Sequence, residues 1–362
     1  MAEFEGLNKP FRPNWKELVD VIMCQGTPKR TFNMELFQDP EIANAIAKRF
    51  DLEAGLKCDD PDFDRKKYIA LQRFCGFDYV RVRLVDLDMP IKSQTVADST
   101  ELPRAGGRTF VDEHTGPITH WEEFEKYPWP DPEKPSATRD LEWYQENLPE
   151  DMCVVAAFGH FAELLAQLMG YEKLCFALYE QRDLVKAIAD KIVAFFETCL
   201  RRFLEFDRVK IVWASDDMGF KTGLLISPRD LREFVLPGHR AMAQMSHKAG
   251  RPYLLHCCGK LCEIIDDLIY DVRIDGKHSF EDTIEDVREV KHTYGKNIAL
   301  IGGIDVDFLC RASKEAIRKR VRNTLDICME GGRYCLGTGN TVANYIPLDN
   351  YLTMVDEGRL YA

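Results

Sequence analysis

His256-Cys257-Cys258 is the sharpest chemical signal in the chain. Side chains alternate in an extended segment, so His256 and Cys258 share one side and Cys257 points away. An imidazole nitrogen and a thiolate together suit zinc, a borderline-soft ion that tolerates an open coordination position. Two ligands do not complete a site, and Cys335, Glu163, Asp217, Glu281 and His278 all stand as candidates for a third. The competing reading is a histidine bonded to backbone beside a buried thiol. Ser215-Asp216-Asp217 offers a carboxylate pair, one member expected to handle protons or ligands and the other to fix the loop at 218–223. Lys277 and His278 are adjacent and must face opposite sides, with His278 expected toward the interior.

These groups share one feature, which is that each follows a short apolar run. Eight such runs read as strands, at 31–35, 79–84, 153–158, 209–214, 252–256, 274–278, 298–302 and 333–337. They are followed in turn by Glu35; Asp86 and Asp88; His160 and Glu163; Asp216 and Asp217; Cys258; Glu281; Asp305; and Asn340. Helical stretches with readable punctuation separate most of them: Ser227-Pro228 opens one, Asp282-Thr283 precedes 284–294, and Ser313 precedes 314–329. Alternation of this kind means right-handed βαβ units on a parallel sheet. The expected fold is α/β, a (β/α)₈ TIM barrel with an N-terminal helical extension at 1–30 and 39–75, forming one domain over 1–362. A doubly wound open sheet is the main alternative. In a barrel, catalytic groups gather at the C-terminal strand ends. Asp217 and His278 are therefore expected to be catalytic, and Glu35, His160, Asp216, Lys277 and Asn340 to bind substrate. The long Pro- and Gly-containing stretch at 86–135 falls after the second strand, where it serves either as a cover for substrate or as a surface excursion pinned by Trp129.

Composition narrows the function classes. A formal charge of −12 speaks against a nucleic-acid footprint, which needs a basic face. No apolar run is long enough to span a membrane. The start, Met-Ala-Glu-Phe-Glu, lacks the basic-then-apolar pattern of a secretory signal, so a cytoplasmic address is expected. Twelve cysteines are many, but most lie within apolar runs and read as small buried hydrophobes rather than a disulfide framework. Walker loops, GxGxxG fingerprints and GxSxG elbows do not occur.

Tyr127-Pro128-Trp129-Pro130, Leu168-Met169-Gly170-Tyr171-Glu172, Ser215-Asp216-Asp217-Met218-Gly219, Ile226-Ser227-Pro228, His256-Cys257-Cys258-Gly259, Ile301-Gly302-Gly303-Ile304-Asp305 and Gly337-Thr338-Gly339-Asn340 carry a further signal. In this order the chain resembles the uroporphyrinogen decarboxylase superfamily. The resemblance implies a (β/α)₈ fold and one of two chemistries: cofactor-free decarboxylation of a tetrapyrrole, or zinc-dependent methyl transfer involving cobalamin. True decarboxylases carry Arg-Gln-Ala-Gly-Arg after the first strand, whereas this chain reads Phe32-Asn33-Met34-Glu35-Leu36-Phe37. The methyltransferase branch fits better, since its His-x-Cys motif matches His256 and Cys258. Its distant cysteine falls at Thr338, with Cys335 three residues earlier, so either Cys335 or a carboxylate substitutes or the metal is absent. The resemblance implies a small methyl donor of the methyl ether, methylamine or methanol type, zinc, and cobalamin on a partner corrinoid protein, with a thiol as the other acceptor. A lyase using Asp217 and His278 and a non-catalytic ligand-binding barrel are the alternatives, and a homodimer is compatible with either.

Overall fold

The computed structural model describes residues 4–26 and 28–361. Seven parallel strands form one sheet in the order β1 (Tyr79–Val82), β4 (Cys153–Phe158), β5 (Val209–Asp216), β8 (Tyr253–Cys257), β9 (Gly276–His278), β10 (Ala299–Ile301) and β11 (Tyr334–Cys335). Two small antiparallel pairs sit outside it, β2 (Ser93–Val96) with β3 (Arg108–Val111) and β6 (Gly219–Phe220) with β7 (Gly223–Leu224). The long strands are apolar and buried along their length, as strands covered by helices must be.

The first expected strand, 31–35, is not one. It makes only isolated parallel bridges, Asn33 with Leu336 and Gln38 with Val342. The Met34 N–H donates to the Leu336 carbonyl at 2.8 Å, and the Leu336 N–H donates to that of Phe32 at 2.8 Å. On the other flank the hydroxyl of Tyr79 receives the Glu35 N–H at 2.9 Å and lies 3.0 Å from the Glu35 carbonyl. A side chain thus spans the gap to β1 that a backbone ladder was expected to fill.

Helices cover the strands and start where their caps dictate. Ser227 accepts the Asp230 N–H ahead of Pro228–Phe234, and Ser313 accepts the Ala316 N–H ahead of Lys314–Cys328. The helix expected at 284–294 begins later, at Val287–Tyr294, because Asp286 is the residue whose carboxylate accepts a first-turn N–H. The N-terminal region is helical at Glu5–Asn8, Trp15–Ile22, Pro40–Arg49 and Phe63–Cys75. Among the described residues no helix is long and apolar enough to cross a membrane. One cluster of buried apolar side chains runs from Phe4 to Val355.

The stretch at 86–135 is anchored. Asn344 donates through Nδ2 to Asp98 at 2.7 Å, to Thr100 at 3.0 Å and to the Leu102 carbonyl at 2.7 Å, tying the β2–β3 hairpin to the region beyond β11. Trp129 packs against Tyr127 with centroids 4.9 Å apart. Only the first part of this stretch, through Ile91, borders the main cavity.

Candidate metal and substrate site

A cavity of about 1040 Å³ opens at the C-terminal ends of β1, β4, β5 and β8. Arg81, Arg83, Asp86, Asp88, His160, Glu163, Ser215, Asp217, His256, Cys258 and Asn340 supply its polar lining. Leu84, Met89, Phe158, Phe195, Phe196 and Phe203 form an apolar limb.

Asp217, His256 and Cys258 present a carboxylate oxygen, an imidazole nitrogen and a thiol sulfur within 4.8 Å of one another. Two loops set this convergence. The Gly259 backbone, with φ of +85°, presses against Gly219, and a Cβ there would lie 2.1 Å from the Gly219 carbonyl carbon. Contact this close joins the turns after β5 and β8, and the Lys260 N–H donates to the Phe220 carbonyl at 2.9 Å. Asp217 is held against the same turn, receiving the Cys258 N–H at 3.4 Å. Asn340 donates through Nδ2 to the Cys258 sulfur at 3.4 Å.

Proton positions follow from the neighbours of His256. His278 Nε2 lies 3.1 Å from the Thr338 carbonyl, which only accepts, so Nε2 carries the proton. Burial pulls His278 down to about 3 and His256 well below its ordinary value, so both rings are neutral. The bare Nδ1 of His278 therefore accepts the proton of His256 Nδ1 across 2.7 Å. His256 Nε2 is left as a lone pair, 3.4 Å from the Cys258 sulfur. Metal-binding histidines are commonly prepared in this way, their second nitrogen committed to a fixed acceptor.

Like charges crowd the same spot. Burial, then the charge of Asp217, pushes the Cys258 thiol up, and burial, then Glu163, raises Asp217. A cation relieves such crowding, and soft sulfur, imidazole and carboxylate together match zinc. The donor set therefore fits the metal. Among the other ligand candidates, Glu163 lines the cavity but pairs with His160 at 2.6 Å and with Gln167 at 2.8 Å. Glu281 lines a separate cavity with Asp282 and Asp305. Cys335 is buried and feels the charges of Asp78 and Arg30, at the end of β1 remote from the cavity.

The expected substrate-binding residues separate into two groups. His160 and Asn340 line the cavity. Burial pulls His160 down, but the hydrogen bond and charge of Glu163 outweigh it and leave the imidazole above its ordinary value. Asp216, Glu35 and Lys277 lie elsewhere. Asp216 is buried and accepts the N–H groups of Phe161, Ala162 and Glu163 at 3.1, 2.9 and 2.8 Å, and its Oδ2 lies 2.9 Å from His239 Nε2. It fixes the N-terminus of the helix Ala162–Met169, where a carboxylate offsets the unpaired N–H groups. Burial pushes Asp216 up, yet these donors hold it below the usual range. Glu35 accepts the Thr338 N–H at 3.0 Å and sits 2.6 Å from its hydroxyl, and burial pushes it up to about 8. Lys277 points into the outer layer, donating to the Ser279 carbonyl at 2.7 Å above the ring of Phe280. His278, expected in the cavity, stands one layer behind it because His256, its ladder partner, occupies the front position. Both of its nitrogens are committed, so the Asp217–His278 proton pair of the lyase reading is not assembled.

Arg81 and Arg83 were not singled out from the sequence, although two charges inside the apolar run at 79–84 are a readable anomaly. Alternation turns both toward the cavity.

Comparison with known proteins decides the family. Residues 110–361 match the model described as "Uroporphyrinogen decarboxylase (URO-D)". The chain belongs to the uroporphyrinogen decarboxylase family. Within it, one curated relative is a methylated-thiol–coenzyme M methyltransferase of Methanosarcina mazei, 28% identical over 127 residues. That match covers 35% of this chain and 32% of the relative, about a third of its length. A solved methyltransferase from Methanosarcina mazei superposes with a TM-score of 0.67 at 16% identity, covering 96% of this chain and 98% of the other. A Listeria monocytogenes protein described as a vitamin-B12 independent methionine synthase gives 0.50 at 12% identity, covering 93% and 98%. These similarities lie with the methyltransferase branch of the superfamily, and the structural ones establish the fold.

Proposed function

We propose that the protein is a methyltransferase that holds zinc on Asp217, His256 and Cys258. It moves a methyl group between a small donor, of the methyl ether, methylamine or methanol type, and a thiol or the cobalamin of a corrinoid partner. The observation that carries this reading is the bare Nε2 of His256 facing a thiol and a carboxylate in the lining of a large cavity. Three protein donors leave a coordination position for substrate, as catalytic zinc requires. The reading takes the sheet as a closed (β/α)₈ barrel acting as one domain in the cytoplasm; the bridging segment at 32–38 and the Tyr79 hydroxyl support closure.

When bound, the metal supplies Lewis acidity, holding an acceptor thiol as thiolate or drawing electrons from the donor heteroatom. The residues do the rest. Cys258, its thiol raised by burial and by the charge of Asp217, would bind the metal as thiolate and so give up its proton, with Asp217 as the carboxylate ligand. His278 fixes the ring of His256, and Asn340 fixes the Cys258 sulfur. His160, whose imidazole Glu163 holds above its ordinary value, lines the cavity as the group that gives a proton to a leaving heteroatom.

The test is to assay zinc-loaded protein with methanol, methylamines and methyl ethers, with cob(I)alamin as acceptor. Transfer from at least one donor, lost in Asp217→Asn, is the expected result. A panel without any turnover contradicts the reading.

A further inference from the structure

Arg81 is a charged side chain with an unfinished set of partners. Its Nη2 donates to the Ser215 hydroxyl at 3.3 Å, its Nε is buried with no hydrogen-bond partner, and its Nη1 makes no hydrogen bond among the described residues. Nor does it pair with any carboxylate there, although the chain carries 60 acidic residues against 48 basic ones. Arg83, two residues on, likewise makes no ion pair among the described residues and lines the cavity nearer solvent. Burying a guanidinium without an anion costs free energy, and folds seldom keep such a group unless a ligand completes it. Four carboxylates share the lining, Asp86 and Asp88 beyond β1, Glu163 after β4 and Asp217 after β5, and among the described residues none of them forms an ion pair with Arg81. Arg81 is therefore a cation whose counter-charge the cavity's own side chains do not supply.

We propose that the substrate of this cavity is a small anion whose carboxylate or sulfonate is bound by Arg81. This rests on the reading of the cavity as a substrate site and narrows the donors to those with an acid group. The position also limits size. Ser215, which holds Arg81, lies directly opposite His256 in the β5–β8 ladder. Adjacent strands are about 4.8 Å apart, so the acid group and the atom that meets the three-donor cluster are separated by only a few bonds. A guanidinium offers two parallel N–H donors to a carboxylate, which fixes orientation as well as charge.

The experiment is a ligand-observed NMR titration of the full-length protein, both chelator-treated and zinc-loaded. It compares methoxyacetate, 2-methoxyethanesulfonate and the neutral isostere 2-methoxyacetamide. Binding does not depend on turnover, so failure of methyl transfer and failure of anion recognition are separable. At least one anion is expected to bind about tenfold or more tightly than the amide, the effect of one charge-assisted contact. That preference is expected to vanish in Arg81→Met and to persist in part in Arg81→Lys, with melting temperatures checking that both variants are folded. Which anion is preferred distinguishes carboxylate from sulfonate. Equal binding of amide and anions, no binding by any of the three, or an anion preference that survives in folded Arg81→Met overturns the proposal. If Arg81→Met is unfolded, the anion-over-amide ratio in the parent protein and in Arg81→Lys decides: a clear drop in the lysine variant sustains it and an unchanged ratio defeats it.

Discussion

Protons decide what His256 can bind. The chain from the Thr338 carbonyl through His278 to His256 leaves one lone pair aimed at Cys258. His278 is thus a positioning residue, and its removal leaves the other donors in place. His278→Ala is expected to weaken zinc binding ~10–100-fold, measured by competition with a chromophoric chelator. An unchanged zinc affinity contradicts the relay. Glu35 acts on a different quantity. Its carboxyl titrates near 8 when folded against an ordinary 4.5, so the folded state keeps a proton that the unfolded chain gives up. Stability attributable to this group is therefore greatest below about pH 4.5, falls as pH rises and stops falling above about 8, with a slope approaching ~1.4 kcal/mol per pH unit between. Glu35→Gln keeps the neutral form at every pH. Urea unfolding across pH 5–8 should show a flatter dependence in the variant, and the same slope in both proteins would mean that another group is responsible.

The loops after β5 and β8 are the elements that make the site. Within Asp216-Asp217, the first residue anchors a helix and the second faces the cavity. Asp216→Asn leaves several N–H groups and His239 without their anion and is expected to cost ~3–5 kcal/mol of stability. Asp217→Asn is expected to melt near the parent temperature while losing ~10²–10⁴-fold in methyl transfer. The reverse pattern, measured by thermal melts and initial rates, contradicts the division of labour. Sequence reading expected one structural and one functional member here but had no means of saying which helix one of them caps. Strand positions were legible because covered parallel strands are continuous apolar runs. The 31–35 run was not, since its backbone pairs at isolated points and Tyr79 completes the contact from across the seam. His256 and Cys258 were legible from alternation alone. Arg81 was readable as a charge within an apolar run, but its lack of an anionic partner is visible only in the structure, and Cys335 could not be placed because adjacency in sequence says nothing of which end of a strand a residue occupies.

At the scale of the whole molecule, the cavity sets what can enter. Asp86, Asp88, Glu163 and Asp217 line it against Arg81 and Arg83, and the arginine-rich motif of the true decarboxylases is replaced at 32–37 by a segment turned toward Thr338. A polyanionic porphyrinogen meets more repulsion than attraction there. Uroporphyrinogen turnover is expected to be negligible beside an authentic decarboxylase assayed in parallel, and comparable rates would refute this view of the cavity. The central claim, that Asp217, His256 and Cys258 form one metal site, is most directly tested by metal analysis of anaerobically purified protein. About one zinc per chain is expected, as for a mononuclear catalytic site, with the metal lost in His256→Ala and in Cys258→Ala. Zinc content unchanged in both variants would contradict it.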